Sequence, residues 1–498
     1  MVVTTIEAIK QTRSLCPECM KVVDATIYEE NGKVLISKEC DKHGRFVDVY
    51  WSDIDEYRRA QRYSVIGDGV ENPQTRTIHG HPLDCGLCPN HKSATSLGII
   101  DVTNRCNLRC PICFANANVT GTVYEPTVQQ VHSMIKTLRS IRPVPPDGLQ
   151  FSGGEPTIRE DLPDLIRAAK KEGFDHIEVN TNGIRLAESV DYCKELADAG
   201  VSSIYLQFDG VRPEIYETTR GASLWDVKVK ALDNCRKGGL DSVVLVPTIV
   251  KGVNDDQLGA IIEFAHKNFD IVRCVNFQPV SITGRISHEK RGEMRITIPD
   301  CTRLIEEQTQ GALKTSDFYP VPVVVPVAKA VGAIKGRRYS EFTVHEHCGM
   351  ATFLLEQEGK LVPITRFIDV DAFMDDMKRV SETAARGSKR IAQVQLLSSA
   401  LRHAKVGLVR QLAGAVLNEG SYNSLGNFMR RVLMIGLMHF QDPYNFDLER
   451  LERCGIHYAV PDGRVIPFCA MNSIYRPRIE EQLGVPLKDW QEKQKHVG

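Results

Sequence analysis

The stretch Asp101-Val-Thr-Asn-Arg-Cys106-Asn-Leu-Arg-Cys110-Pro-Ile-Cys113-Phe114 decides how this chain is read. It follows directly on Leu97–Val102, an apolar run of the length and composition of a buried strand. The spacing Cys-x3-Cys-x2-Cys sets three thiolates on one loop. Three thiolates hold a four-iron cluster and leave its fourth iron without a protein ligand, the open position that a small molecule needs. A zinc knuckle short of its fourth ligand is the competing reading, and a position at the end of a strand speaks against it.

Outward from this loop the chain alternates apolar strands with amphipathic helices. Strands are expected at Leu97–Val102, Leu149–Phe151, His176–Thr181, Ser203–Phe208, Val243–Thr248 and Val272–Gln278. Helical patterns lie between them at Val128–Arg139, Asp161–Glu172, Glu188–Ala199, Leu224–Lys237 and Asp255–Asn268. Such alternation implies an α/β fold with a parallel sheet and right-handed crossovers, either doubly wound or a partial barrel. In both, chemistry sits at the C-terminal ends of the strands.

Further signals stand at those strand ends: Ser152-Gly153-Gly154-Glu155-Pro156, Asn180-Thr181-Asn182-Gly183, Gln207-Phe208-Asp209-Gly210 and Thr218-Thr219-Arg220-Gly221. Thr248, Asn254, Asn276 and Gln278 complete a polar rim. Each alone reads as a loop residue satisfied by its neighbours. In this order they make about Ser96–Arg291 resemble the radical SAM superfamily. The resemblance implies a partial (β/α)6 TIM-like barrel, with a [4Fe–4S] cluster on Cys106, Cys110 and Cys113 that S-adenosylmethionine (SAM) chelates. Its cleavage would yield a 5′-deoxyadenosyl radical that abstracts hydrogen from carbon. It also implies that Gly153, Gly154 and Glu155 receive the methionine ammonium, that Asn180 and Asn182 hold the ribose, and that Arg220 pairs with the methionine carboxylate. Gln207, Asp209, Thr248, Asn254 and Gln278 are the remaining candidates for binding the cofactor.

The 498 residues are too many for one ordinary core and divide by composition into 1–95, 96–291 and 292–498. With 42% hydrophobic and 25% charged residues the chain reads as ordinary globular protein. A net charge of −1 supplies no bulk field for nucleic acid. No apolar run approaches the ~20 residues of a membrane span, and a secretory leader is not evident, so a cytoplasmic location is expected. Fifteen cysteines in such a chain favour metal ligation over disulfides.

In the first region, Cys16-Pro-Glu-Cys19 and Cys40-Asp-Lys-His43 flank the strand candidates Lys33–Ser37 and Phe46–Tyr50. They read as a zinc ribbon or rubredoxin-like site for one mononuclear iron or zinc ion. Cys85-Gly-Leu-Cys88 precedes the radical SAM loop, and Cys348, Cys454 and Cys469 are spread through the third region. From these five, at least one auxiliary [4Fe–4S] cluster is expected in a mixed α+β C-terminal region. That region shows helical patterns at Lys389–Leu417 and Asn427–Phe440 and a Pro-punctuated apolar stretch, Tyr319–Lys329.

Over its whole length the chain resembles the archaeal tetraether lipid synthases, through Leu15-Cys-Pro-Glu-Cys19, Asp84-Cys-Gly-Leu-Cys-Pro-Asn-His-Lys92 and the two-cysteine C-terminus. This implies joining of terminal methyl carbons of isoprenoid chains in archaeal diether lipids, in an anaerobic setting, with a low-potential donor such as ferredoxin and peripheral contact with the membrane. Val321–Ile334 and Phe428–Met438 are then candidate walls of an apolar channel. The same resemblance leaves open a methylase of a pterin precursor of methanopterin, whose site would be small, flat and hydrogen-bonding. A non-catalytic metal-ribbon adaptor for nucleic acid is the third reading.

Overall fold

The computed structural model describes residues 8–84, 86–117, 121–286, 289–403 and 431–495. The chain opens with β1 (Ala8–Leu15), β2 (Val22–Glu30), β3 (Lys33–Cys40) and β4 (Gly44–Trp51), paired antiparallel in sequence order. Asn31 and Gly32 join β2 to β3 with φ of 54° and 74°. These left-handed conformations suit a two-residue hairpin turn, whose twist matches that of its strands. Ile27, Val34, Ile36, Tyr50 and Trp51 of this sheet are buried and continue the main core.

The barrel strands are β5 (Leu97–Thr103), β6 (Gly148–Gly153), β7 (His176–Thr181), β8 (Ser203–Gln207), β9 (Val243–Val246) and β10 (Val272–Pro279). They pair parallel in the order β5-β6-β7-β8-β9-β10, with helices between them as the sequence pattern predicts. Leu149, Phe151, Ile177, Val179, Ile204, Leu206, Val275 and Phe277 point to the helix layer and are fully buried there. The alternate positions are polar: Gln150, Ser152, Glu178, Asn180, Tyr205, Gln207, Asn276 and Gln278. Parallel strands covered on both faces are ordinarily apolar throughout. Alternation in a parallel sheet therefore marks one face as the lining of a lumen.

Beyond residue 291 the chain returns to this same sheet. β11 (Gly349–Gln357) and β12 (Val432–Met438) extend it past β10, while β13 (Ile456–Ala459) and β14 (Val465–Pro467) extend it past β5. β12 and β13 run parallel to their barrel neighbours, so the sheet is wider than six strands. The expected helix Asn427–Phe440 is thus a strand over Val432–Met438, with 427–430 outside the described residues. Val-Leu-Met-Ile-Gly-Leu-Met is apolar throughout and pairs along its edges with β10 and β11, and periodicity does not separate such a run from a buried helix.

The helical pattern from Lys389 is a helix over Lys389–His403, its remainder to 417 lying outside the described residues. In the apolar stretch at Tyr319–Lys329, Tyr319–Pro320 is a short strand, followed by a helix over Val325–Lys335. Ala330 and Ile334 of that helix pack on Met377 and Val380 of Val370–Ala385 and on Ala392 and Leu396 of Lys389–His403. Among the described residues no helix is long and apolar enough to cross a membrane.

Candidate active site

Cys106, Cys110 and Cys113 lie on the loop that leaves β5, half-buried. Two arginines hold this loop by its backbone. Arg285 Nη1 donates to the Cys110 carbonyl (2.9 Å), Arg285 N to the Cys113 carbonyl (3.1 Å) and Arg220 Nη1 to the Ile112 carbonyl (2.8 Å). These bonds fix the backbone from which the three thiols project. Burial pushes the Cys106 thiol up to about 12 and raises Cys110. Thiols held neutral in this way ionise when a metal takes the proton's place. Among the described residues, the metal-ligating groups gathered within 4.8 Å are Cys16/Cys19/Cys40/His43 and His345/Glu346/His347. The loop thiols are spread wider, as the corners of an iron–sulfur cube require and a single ion does not.

The Gly153-Gly154 turn ending β6 lies against the start of the cysteine loop. Gly153 has φ of 132°, and a Cβ there would stand 2.0 Å from the Thr103 carbonyl oxygen; at Gly154 it would stand 2.2 Å from that of Arg105. Only glycine permits this approach. Glu155 is buried, and its carboxylate accepts from Thr157 N (3.1 Å), Thr157 Oγ1 (2.6 Å), Thr181 Oγ1 (2.7 Å) and Asn182 N (2.7 Å). Glu155 therefore braces the turn against the end of β7.

Arg220 is likewise internally engaged. Its Nε and Nη2 form a two-pronged ion pair with Asp209 (2.5 and 2.8 Å), and Nη2 also reaches Thr248 Oγ1 (3.3 Å). The carboxylate partner that the sequence sought for Arg220 in the cofactor is here Asp209. Asn254 is fully buried, donating to the Asp209 and Thr248 carbonyls (2.9 Å each) and accepting from Val250 N (2.8 Å). It holds two strand ends together and does not face the opening.

The other rim residues do reach one another. Asn180 Nδ2 donates to Ser152 Oγ (3.2 Å), and Asn182 Nδ2 to Asn107 Oδ1 in the cysteine loop (2.7 Å). Gln207 bridges Asp209 (2.5 Å) and Lys228 Nζ (2.7 Å). Deeper in the lumen, Gln150 Nε2 donates to Glu178 Oε2 (2.8 Å), while Asn276 Nδ2 (2.5 Å) and Gln278 Nε2 (3.0 Å) both donate to Tyr205 Oη. Tyr205 belongs to β8 and the two amides to β10, so these bonds pass over β9 on the concave side of the sheet.

At the ribbon, Cys16 Sγ and Cys40 Sγ are each 3.5 Å from His43 Nδ1, and Cys19 Sγ is 4.0 Å from Cys40 Sγ. Tetrahedral ligands around one zinc or iron ion are separated by about 3.6–3.8 Å, so the four fit a single ion. Backbone N–H of Lys42, then the His43 ring, lower Cys40 to about 6 and favour its thiolate. Cys348 immediately precedes β11, Cys454 precedes β13 and Cys469 follows β14. Gln441 N donates to Cys469 Sγ (3.3 Å), and the three thiols act on one another electrostatically. Cys88 Sγ pairs instead with His81 Nε2 (3.1 Å), and Cys85 lies outside the described residues.

Arg285, Lys228 and Arg450 were not singled out by sequence reasoning. The available signal for the first is Gly284, with φ of 63° and no room for a Cβ against the Cys113 carbonyl.

The Radical SAM superfamily model matches residues 100–265, and the HMPTM N-terminal zinc ribbon domain model matches residues 8–52. The 7,8-dihydro-6-hydroxymethylpterin dimethyltransferase of Methanocaldococcus jannaschii is 47% identical over 98% of this chain and 98% of its own. This chain belongs to that family of radical SAM enzymes. It carries the family's [4Fe–4S] cluster and SAM, and a metal in its ribbon. A GTP 3′,8-cyclase of Peptoclostridium acidaminophilum is 28% identical over 45% of this chain and 68% of its own. Streptococcus suis SuiB bound to its precursor peptide SuiA aligns at a TM-score of 0.37 with 17% identity, over 44% of this chain and 47% of that one.

Membership in this family corrects the reading as a tetraether lipid synthase, and with it the isoprenoid lipid substrate and the membrane contact that the substrate implied. The structure gives the physical side of the correction. The apolar segment Val321–Ile334 is spent in helix packing, Val432–Met438 is a sheet strand, and the barrel lumen is lined with amides, a carboxylate and a phenol.

Proposed function

We propose that this chain is a radical SAM methyltransferase acting on a reduced pterin of the 7,8-dihydro-6-hydroxymethylpterin kind. The observation that carries this reading is the near-full-length identity with the dimethyltransferase of that substrate. The lumen supports it. A pterin is flat and bears donors and acceptors around its edge, which match Gln150, Glu178, Tyr205, Asn276 and Gln278 in chemistry. A hydrocarbon chain there would offer no partner for the hydrogen-bonding capacity these groups retain beyond their bonds to one another.

Cys106, Cys110 and Cys113 are the proposed cluster ligands, and Cys16, Cys19, Cys40 and His43 those of the ribbon metal. Cys348, Cys454 and Cys469 are proposed to ligate an auxiliary cluster. The cluster and SAM, when bound, supply a radical able to take hydrogen from carbon. The protein's own residues position and enclose. The Gly153-Gly154 backbone, Asn180, Asn182, Gln207 and Thr248 present polar atoms to the cofactor, and Gln278, first expected there, belongs with Tyr205 in the set for the pterin. Arg220 and Arg285 hold the cysteine loop at the mouth of the lumen. Phe114, next to Cys113, packs on Phe468, next to Cys469, with ring centroids 5.9 Å apart. This contact sets the two cysteine sites side by side.

The test is anaerobic turnover of the reconstituted enzyme with SAM, a low-potential reductant and the dihydropterin, followed by mass spectrometry. A product heavier by methyl groups, with 5′-deoxyadenosine formation stimulated by the pterin, is expected. An unchanged pterin that does not stimulate SAM cleavage would overturn the reading.

A further inference from the structure

The cations that act on the buried His345 and His439, beside Cys348, are Lys10, Arg295, Arg450 and Arg453. Three of them have carboxylate partners. Lys10 pairs with Asp447 (3.2 Å) and Glu449 (2.5 Å), Arg295 with Asp442 (2.5 Å) and Asp48 (3.1 Å), and Arg453 with Glu346 (2.9 Å). Arg450 has no ion pair among the described residues. It is 1% exposed, and its Nη2 donates to the His439 carbonyl (2.9 Å). Its Nε and Nη1 are buried with no hydrogen-bond partner.

A guanidinium buried without a counter-charge carries a desolvation cost of several kcal/mol. The groups that most favour its charge are the Cys348 thiol, then the Tyr50 hydroxyl and the Cys469 thiol. Tyr50 Oη donates to Asp447 (3.0 Å). The guanidinium carbon also lies 5.6 Å from the Tyr50 ring centroid, a contact that brings no anion. His439, whose carbonyl Arg450 holds, donates its N–H to the Cys348 carbonyl (3.0 Å), so the sulfur side is what remains. A cation lacking an anion, and N–H groups lacking acceptors, beside three cysteines are unfavourable as protein alone. An anionic, thiolate-ligated cluster resolves both, so these residues fit the group.

We propose that Arg450 is a positioning residue for the iron–sulfur cluster of Cys348, Cys454 and Cys469, donating from Nε and Nη1 to its sulfur atoms and raising its reduction potential. This rests on reading those cysteines as cluster ligands. The cluster gains negative charge when it takes an electron, so a fixed cation and N–H donors stabilise the reduced form more than the oxidised one.

The experiment uses full-length reconstituted protein with Cys106→Ala, Cys110→Ala and Cys113→Ala, so that the auxiliary cluster alone gives the four-iron signal. Iron content, the EPR spectrum of the reduced protein and its midpoint in a mediator titration are measured. Arg450→Met is expected to keep the signal and to shift the oxidised-to-reduced equilibrium at least tenfold towards oxidised, about 59 mV lower for one electron. Arg450→Lys, which keeps the charge and loses the planar fork, is expected to shift it less in the same direction.

A retained signal at the parent potential in Arg450→Met overturns the proposal. Where Arg450→Met loses the ribbon metal as well, and so has unfolded, Arg450→Lys decides by the same criterion: a lowered potential supports, the parent potential overturns. Absence of any four-iron signal in the parent triple variant refutes the cluster assignment, and the role of Arg450 with it. That result leaves the pterin reaction to be judged by its own product analysis.

Discussion

In the ribbon, Cys16, Cys19, Cys40 and His43 come from two turns of one antiparallel sheet and meet within 4.8 Å. In the barrel, Cys106, Cys110 and Cys113 come from a single loop, stay wider apart and are held through their carbonyls by Arg220 and Arg285. The first arrangement is set by hairpin register and fills a tetrahedron, so its metal staples a small sheet. The second is set by side chains reaching in from a helix end and from the loop after β10, and would provide three ligands where a cluster has four corners. The same residue type is thus proposed for a closed structural site and an open catalytic one, and the difference lies in which elements carry the thiols.

The strongest way to break this comparison is to remove one site and read the other. Cys106→Ala, Cys110→Ala and Cys113→Ala together should reduce reductive SAM cleavage to background while the ribbon keeps its metal. Surviving 5′-deoxyadenosine formation under dithionite would refute the assignment of the open site. The reciprocal change, Cys16→Ser with Cys19→Ser, should remove about one metal ion per chain and destabilise the ribbon, leaving SAM cleavage measurable in the protein that remains folded. Unchanged metal content by elemental analysis would show that these four residues hold nothing.

A smaller effect sharpens the account of the barrel site. Lys228 is fully buried, donating to the Asn182 carbonyl and to Gln207, and burial lowers it to about 7 from 10.5. Between these values the unfolded chain binds the proton and the folded chain does not. Stability therefore rises with pH across this window and is lost as pH falls towards 7, by about 1.4 kcal/mol per unit for one proton. In Lys228→Met that part of the slope should vanish from denaturant titrations run from pH 7 to 10. An identical slope in both proteins would place the Lys228 ammonium in contact with water.

The barrel was legible because its strands and helices repeat two clean periods, and because the cysteine loop, the Gly-Gly turn and Asn180-Thr181-Asn182 each occupy a strand end. The ribbon was legible from paired Cys-x2-Cys and Cys-x2-His turns, although its first two strands, Ala8–Leu15 and Val22–Glu30, were not. Val432–Met438 was misread because a strand that is apolar at every position has no alternation to betray it. Arg220 and Asn254, expected at the cofactor, both engage Asp209, through its carboxylate and its carbonyl, a link that sequence spacing does not show.

The kind of reaction followed from local spacing, since three thiols on one loop and a glycine turn are built from neighbouring residues. The substrate did not. The motifs that bind the cluster and SAM are shared by enzymes acting on very different molecules, and whole-chain resemblance pointed to a lipid. The residues suited to a substrate, Gln150, Glu178, Tyr205, Asn276 and Gln278, come from four strands, and only the parallel register brings them onto one concave face. The same holds for Arg450, whose missing counter-charge appears only when a folded core has excluded water from it.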